Sequence, residues 1–130
     1  MTRANRFKGA IFLGAIGDAL GSVFEGMNKQ NEDTFYPYGK PEINLPSPQF
    51  TDDTLFTIAT IESLCASKSV NIPTLASTFM DYFNRKLFIG IGSATLMAMQ
   101  GLSVGGTWDN VGRKGEFAAG NGPAMRIAPL

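Results

Sequence analysis

The apolar residues of this chain recur at the three- and four-residue spacing of an α-helix, and no stretch keeps the alternation of a half-buried strand. The helical pattern covers four segments, at residues 6–24, 51–66, 73–86 and 93–102. Pro73 suits the first turn of the third segment, and the turn Gly90-Ile91-Gly92-Ser93 separates the third from the fourth. The sequence therefore predicts an all-α fold.

Two of these segments have a recognisable apolar face. In the second segment this face is predicted to comprise Leu55, Ile58, Ala59, Ile61, Leu64 and Cys65. In the third segment it is predicted to comprise Leu75, Phe79, Tyr82 and Phe83. These faces are expected to form the core of the domain.

Length and composition restrict the function. A chain of 130 residues with 44% apolar residues is the size of one globular domain. Net charge is zero without a basic run, which argues against binding to nucleic acid or to an anionic membrane. There is no histidine, which excludes histidine catalysis and histidine-ligated zinc within this chain.

The cellular location is predicted to be the cytoplasm. Cys65 is the only cysteine, so no disulfide framework can form within the chain. The apolar run 9–17 follows basic residues as in a signal peptide, but Asp18 comes directly after it. The run is also too short to span a bilayer.

The first segment carries glycines and two carboxylates on one side. Gly14, Gly17 and Gly21 share a face, and each costs up to about 1 kcal/mol relative to alanine in a helix interior. A face of small residues serves either as a packing seam or as a surface on which a ligand lies close. Asp18 and Glu25 are seven residues apart and point the same way if the helix extends that far. They are either functional acids or, respectively, a local hydrogen-bond acceptor and a solvated side chain.

Residues 27–49 form a long polar segment with four prolines, which predicts a loop with a turn at Tyr36-Pro37-Tyr38-Gly39. Long loops of this kind often bind ligands. The aromatic residues Phe35, Tyr36 and Tyr38 are expected either to line a ligand or to anchor the loop on the core.

The stretch Thr51-Asp52-Asp53-Thr54 places four oxygen-bearing side chains at the start of the second helix. Such a cluster can hold Mg²⁺ or Ca²⁺, which prefer oxygen ligands. The same residues are also typical of a helix start, where threonine caps and acidic residues complement the dipole.

Two glycine turns precede apolar segments, at Gly90-Ile91-Gly92-Ser93 and at 120–127, where Arg126 is expected in the first turn of a helix. Successive amides of a glycine turn can bind a phosphate, and ordinary helix connections have the same composition.

Three motifs in order carry a resemblance to a known family. They are Gly17-Asp18-Ala19-Leu20-Gly21 with Glu25, then Thr51-Asp52-Asp53-Thr54, then Gly120-Asn121-Gly122-Pro123-Ala124-Met125-Arg126-Ile127-Ala128-Pro129. This set resembles the ADP-ribosylglycohydrolases, which include the dinitrogenase reductase-activating glycohydrolases. The resemblance implies a helical enzyme with two Mg²⁺ ions, or Mn²⁺ in their place, that hydrolyses the bond between ADP-ribose and a protein side chain or small acceptor.

The resemblance also implies roles for single residues. Thr51, Asp52 and Asp53 are implied to bind metal, and Glu25 and Asp53 to act in catalysis. The residues implied to contact the substrate are Gly90, Gly92, Ser93, Gly120, Asn121, Gly122 and Met125.

One part of the family pattern is absent. Members complete the metal site with a second Asp-x-Asp-Thr cluster far downstream, and the acids after Asp53 are isolated here. The chain therefore resembles the N-terminal half of such an enzyme. We expect either a hydrolase completed by a C-terminal half or a truncated, non-catalytic module that binds ADP-ribose or another protein. Unburied apolar faces would then favour a complementary half or self-association.

Overall fold

The computed structural model describes residues 2–25, 49–116, 118 and 120–130, and these residues form helices without a strand. The elements are α1 (Arg3–Gly21) with a 3₁₀ turn (Ser22–Phe24), α2 (Asp52–Ser67), α3 (Ile72–Asn84), α4 (Ser93–Ser103) and α5 (Gly122–Met125). The all-α prediction is confirmed, with helix bounds close to those expected. The predicted loop with its turn at Tyr36–Gly39 and its aromatic residues lies outside the described residues, apart from Gln49.

Side-chain caps explain where the helices begin. Thr51 precedes α2 in an extended conformation, and its side chain accepts the amide of Asp53 at 3.3 Å. Asn71 does the same for α3, accepting the amide of Thr74 at 2.9 Å, with Pro73 in the first turn. Lys68 adopts a left-handed conformation with φ 55° and ends α2.

The core lies where α2 meets α3 and α4. Phe56 is completely buried, with its ring edge-to-face against Phe79 at 4.8 Å and stacked on Phe88 at 3.9 Å. Tyr82 of α3 and Met99 of α4 complete the buried cluster together with Ala59. The predicted core residues Phe79 and Tyr82 of α3 are therefore confirmed, and Leu75 and Phe83 pack at its edge.

The predicted apolar face of α2 is only partly confirmed, because Ala59 is buried and Leu55, Ile61 and Leu64 are half-buried. Ile58 is 37% exposed and Cys65 is exposed, whereas the buried residues are Asp52, Thr54, Phe56, Ala59, Thr60 and Ser63. The buried face of α2 therefore consists mainly of small and hydroxyl-bearing residues around Phe56. The buried hydroxyl of Thr60 donates to the carbonyl of Phe56 at 2.7 Å, so its burial leaves no unpaired donor.

Helix α1 is attached to α2 without burying any of its own residues. Its large exposed apolar residues are Phe7, Phe12, Leu13, Ile16 and Leu20. By length and composition the segment Arg3–Phe24 could also cross a membrane, a property shared by core helices of soluble proteins and by signal sequences. Apart from the backbone of α1 itself and the neighbouring residues, no described atom lies within 4 Å of a Cβ placed on Gly14, Gly17 or Gly21, so no other described element packs closely on these glycines.

Candidate active site

Asp18 of α1 connects the first helix to the start of α2. Its Oδ1 accepts the hydroxyl of Thr51 at 2.6 Å, and its Oδ2 accepts the amide of Thr51 at 2.9 Å. The amide and hydroxyl of Thr54 also donate to Oδ2, at 3.2 and 2.5 Å. The interpretation of Asp18 as a local hydrogen-bond acceptor is therefore wrong, because its partners lie 33 and 36 residues away. A carboxylate from another helix holds the Thr-Asp-Asp-Thr turn in place.

The hydrogen bonds also fix the charge of Asp18. Burial acts to raise the pKa of this carboxyl, but the side chains and amides of Thr51 and Thr54 outweigh it and hold the pKa below its ordinary value. Asp18 is therefore an ionised acceptor whose lone pairs are largely occupied, which makes it an anchor rather than a proton-transfer group.

The remaining acids near the start of α2 face a cavity. Burial, followed by repulsion from Asp53, raises the pKa of Asp52, against an opposing hydrogen bond from the amide of Gly92. Burial and the charge of Asp18 raise the pKa of Asp53. Glu25, which follows the 3₁₀ turn in an extended conformation, is exposed and adds to the repulsion on Asp52. The helix therefore ends before Glu25, yet the fold still brings this residue to the acidic cluster.

The first glycine turn is joined to this cluster by backbone contacts. The amide of Asp52 donates to the carbonyl of Ile89 at 2.8 Å, and the amide of Gly92 donates to the carboxylate of Asp52. Gly90 has φ +77°, a left-handed conformation that favours glycine, and a Cβ here would lie 3.7 Å from Oδ1 of Asp52. One carboxylate of the Asp52-Asp53 pair and the glycine turn thus form a continuous wall.

The second glycine turn approaches from the other side. Thr57 of α2 donates through its hydroxyl to the carbonyl of Met125 at 3.4 Å, and a Cβ on Gly122 would lie 3.5 Å from Oγ1 of Thr95. Helix α5 has only four residues, so Arg126 lies at its C-terminal end and the prediction of Arg126 in a first turn is wrong. A helix this short offers no N-terminal anion site.

Arg126 is held against the aromatic core. Its guanidinium carbon lies 5.0 Å from the ring centroids of both Phe56 and Phe79, and its buried Nη1 has no hydrogen-bond partner among the described residues. Burial lowers the pKa of Arg126, and the nearby charge of Asp52 opposes that shift. The cation therefore both packs on the core and offsets one acid of the cluster.

The acidic cluster, both glycine turns and Arg126 line one cavity of about 510 Å³. Its lining includes the acids Glu25, Asp52 and Asp53. It also includes every residue predicted to contact the substrate, namely Gly90, Gly92, Ser93, Gly120, Asn121, Gly122 and Met125. Thr51 does not line it; this residue is buried behind the acids, with its hydroxyl donating to Asp18. A second cavity of about 410 Å³ lies beside it along the glycine face of α1 and shares Glu25 and Asp53 with the first.

The donor chemistry of this cluster suits a hard cation, but the number of ligands is small. Its donors are carboxylate oxygens, the type that Mg²⁺ and Mn²⁺ prefer. Among the described residues, no group of three or more His, Cys, Asp or Glu side chains lies close enough together to hold a metal ion. The hydroxyl of Thr51 already donates to Asp18, which leaves only its lone pairs for a metal. The described residues therefore do not by themselves provide a complete set of ligands for a metal ion.

The sequence did not predict two features of the site. One is that Arg113 lines the cavity, and the other is that Asp18 anchors the start of α2. Arg113 lies in the irregular segment between α4 and α5 and lines the cavity beside Gly112. No periodicity marks such a residue, since its position depends on the path of a loop. For Asp18 a signal existed, because an acid in an apolar glycine-rich helix needs a partner, but the sequence could not say which.

A model of the family described as ADP-ribosylglycohydrolase matches residues 1–130, the whole chain. The chain is 28% identical to an ADP-ribosylhydrolase (ARH3) of Xenopus tropicalis, over 97% of this chain and 39% of the relative. It is 29% identical to an ADP-ribosylarginine hydrolase (Tri1) of Pseudomonas putida, over 96% of this chain and 35% of the relative.

An uncharacterised protein of Archaeoglobus fulgidus is 30% identical over 96% of this chain and 42% of its own length. The chain thus spans about two fifths of the length of the curated relatives that it matches.

Proposed function

Because the chain belongs to the ADP-ribosylglycohydrolase family, we propose that it takes part in hydrolysis of the bond between ADP-ribose and a protein side chain or small acceptor. One observation carries the proposal. The acids of the Thr-Asp-Asp-Thr turn, Glu25 and both glycine turns line the same cavity, although they come from four separate parts of the chain. The volume of about 510 Å³ also lies in the range of small-molecule sites.

The residues that line the cavity suggest two roles, ligand binding by the glycine turns and proton transfer by the carboxylates. The turns at 90–93 and 120–122 present backbone to the cavity with little side chain in the way, which suits a diphosphate or ribose. Among the described residues, no hydrogen-bond donor holds the carboxylate oxygens of Glu25 or Asp53. The carboxylate of Asp18, in contrast, is held by such donors. Either is able to accept a proton from a water that attacks C1 of the ribose.

We further propose that Asp52 and Asp53, with a lone pair of Thr51, contribute to an Mg²⁺ site. A bound divalent cation would polarise a ribose hydroxyl or water at C1. We propose that carboxylates from a region outside these 130 residues complete the site; both relatives named above are longer than the part that this chain matches. The same region would cover the apolar side of α1, where Phe12 and Leu13 are each 69% exposed.

The test uses ADP-ribosylated arginine as substrate and ADP-ribose release as readout, with and without Mg²⁺. The double substitution Asp52→Ala plus Asp53→Ala is compared with Asp109→Ala, which changes an exposed acid outside the cavity. We expect release only when the completing carboxylates are supplied, for example on a complementary polypeptide, and we expect this release to require Mg²⁺ and to be lost in the double variant but not in Asp109→Ala. Calorimetry with ADP-ribose runs in parallel. Binding without release would support a non-catalytic ADP-ribose-binding module, and absence of both would refute the proposal.

A further inference from the structure

The cavity that holds the acids also carries two positive charges. Arg113 and Arg126 both line it, together with Glu25, Asp52 and Asp53. A cavity with three carboxylates repels an anionic ligand unless positive charge or amides offset them. The two arginines therefore decide whether an anion can enter, and they differ in how they are held.

Arg126 is already engaged with the protein. Its guanidinium packs on Phe56 and Phe79, its Nη1 is buried, and the charge that acts on it is that of Asp52. A ligand that recruited this side chain would have to remove it from both rings. Arg126 thus offsets part of the negative charge of the acids that line the cavity.

Arg113 is not engaged in this way. Its side chain is exposed, and within the described part of the chain the only ion pair joins Arg85 to Asp81. No hydrogen bond from its guanidinium to another described residue is present. It follows Gly112, which also lines the cavity, and the glycines of the two turns lie on the same surface. Arg113 is therefore the cation of this cavity whose donors are free for a ligand.

We propose that Arg113 binds the diphosphate of the ligand and so selects nucleoside diphosphates over uncharged nucleosides. The inference rests on the proposed function, since it names the residue that binds the diphosphate of that substrate. A guanidinium offers paired donors that match phosphate oxygens, and hydrogen bonds between charged groups are stronger than neutral ones. Backbone amides at the N-terminus of α4, which begins at Ser93, would donate to the same diphosphate.

The chain offers a matched control in the next residue. Lys114 carries the same charge, does not line the cavity, and acts instead on Asp109. Arg113→Gln and Lys114→Gln therefore make the same charge change at adjacent exposed positions. Neither should affect folding, which circular dichroism would check.

Calorimetry of the full chain with ADP-ribose, at low salt and at roughly physiological salt, tests the proposal. We expect Arg113→Gln to weaken the binding of ADP-ribose about tenfold or more and to make that binding less dependent on salt. The affinity of Lys114→Gln for ADP-ribose should stay within about twofold of that of the original chain. Arg113→Lys should fall in between, because it keeps the charge and loses the paired donors.

The other outcomes separate the two proposals. Normal binding by Arg113→Gln would overturn the role of Arg113 and leave the proposed function standing. Equal losses in both glutamine variants would also overturn it, because a general surface charge would then explain the effect. If the original chain bound inorganic pyrophosphate through Arg113 but not ADP-ribose, the anion site would stand and the proposed function would fail. If it bound neither, both proposals would fall.

Discussion

Replacing Asp18 with alanine should destabilise the protein strongly, although this side chain is only half-buried. Asp18 accepts four hydrogen bonds from Thr51 and Thr54, which are 4% and 7% exposed. At about 1 kcal/mol net for each bond, the loss is about 4 kcal/mol. Against a typical domain stability of about 5–15 kcal/mol, such a loss is large.

Urea denaturation followed by circular dichroism would measure the loss. Asp18→Asn keeps the shape and one acceptor oxygen, so about half of the effect is expected. Asp81→Ala is the control, because its ion pair with Arg85 is exposed and should contribute less than about 1 kcal/mol.

A double-mutant cycle with Thr54→Val makes the test specific. If Asp18 and Thr54 interact as described, Thr54→Val should cost about 1–2 kcal/mol in the original chain and almost nothing after Asp18→Ala. Additive costs, or an Asp18→Ala protein within about 1 kcal/mol of the original, would refute the anchoring role.

Three further changes test the site and the core. Gly90→Ala should cost about 1–2 kcal/mol because φ is +77°, whereas Gly92→Ala, with φ −65° and open space around it, should cost less; urea unfolding compares them. Arg126→Lys should lower the unfolding free energy by about 1–2 kcal/mol through loss of contact with two rings, and an unchanged melting temperature would contradict this. Burial and Glu62 raise the pKa of Tyr82 to about 12, so stability should be complete below about pH 10 and fall by up to about 1 kcal/mol between pH 10 and 12. Tyr82→Phe should abolish that decline; a persisting decline would assign it to other groups.

The sequence predicted helices well because helix signals are local. Thr51, Asn71 and Pro73 mark their helix starts by side chains that act within three residues, so the bounds needed no tertiary information. The buried face of α2 was missed because burial depends on which helix packs against it. Ile58 looks like a core residue and is 37% exposed, whereas the hydroxyl-bearing residues Thr60 and Ser63 are buried.

That the candidate residues line one cavity was predictable for a different reason. Glu25, Asp52, Asp53 and the glycine turns are recognised as an ordered set of motifs, and the structure lines one cavity with them. Arg113 belongs to no motif and depends on a loop path, which a pattern cannot reveal.

The anchoring of α2 by a carboxylate from α1 has a consequence for how the protein folds. The contact from Asp18 to Thr51 closes a chain segment of 33 residues, and closing a flexible loop of that length costs about 3 kcal/mol in entropy. Helix α2 and its packing on α3 rely on contacts between neighbouring segments, so they should form first. The acids would then reach their final arrangement only after α1 docks. Substitutions at Asp18 should accordingly accelerate unfolding and leave the refolding rate nearly unchanged.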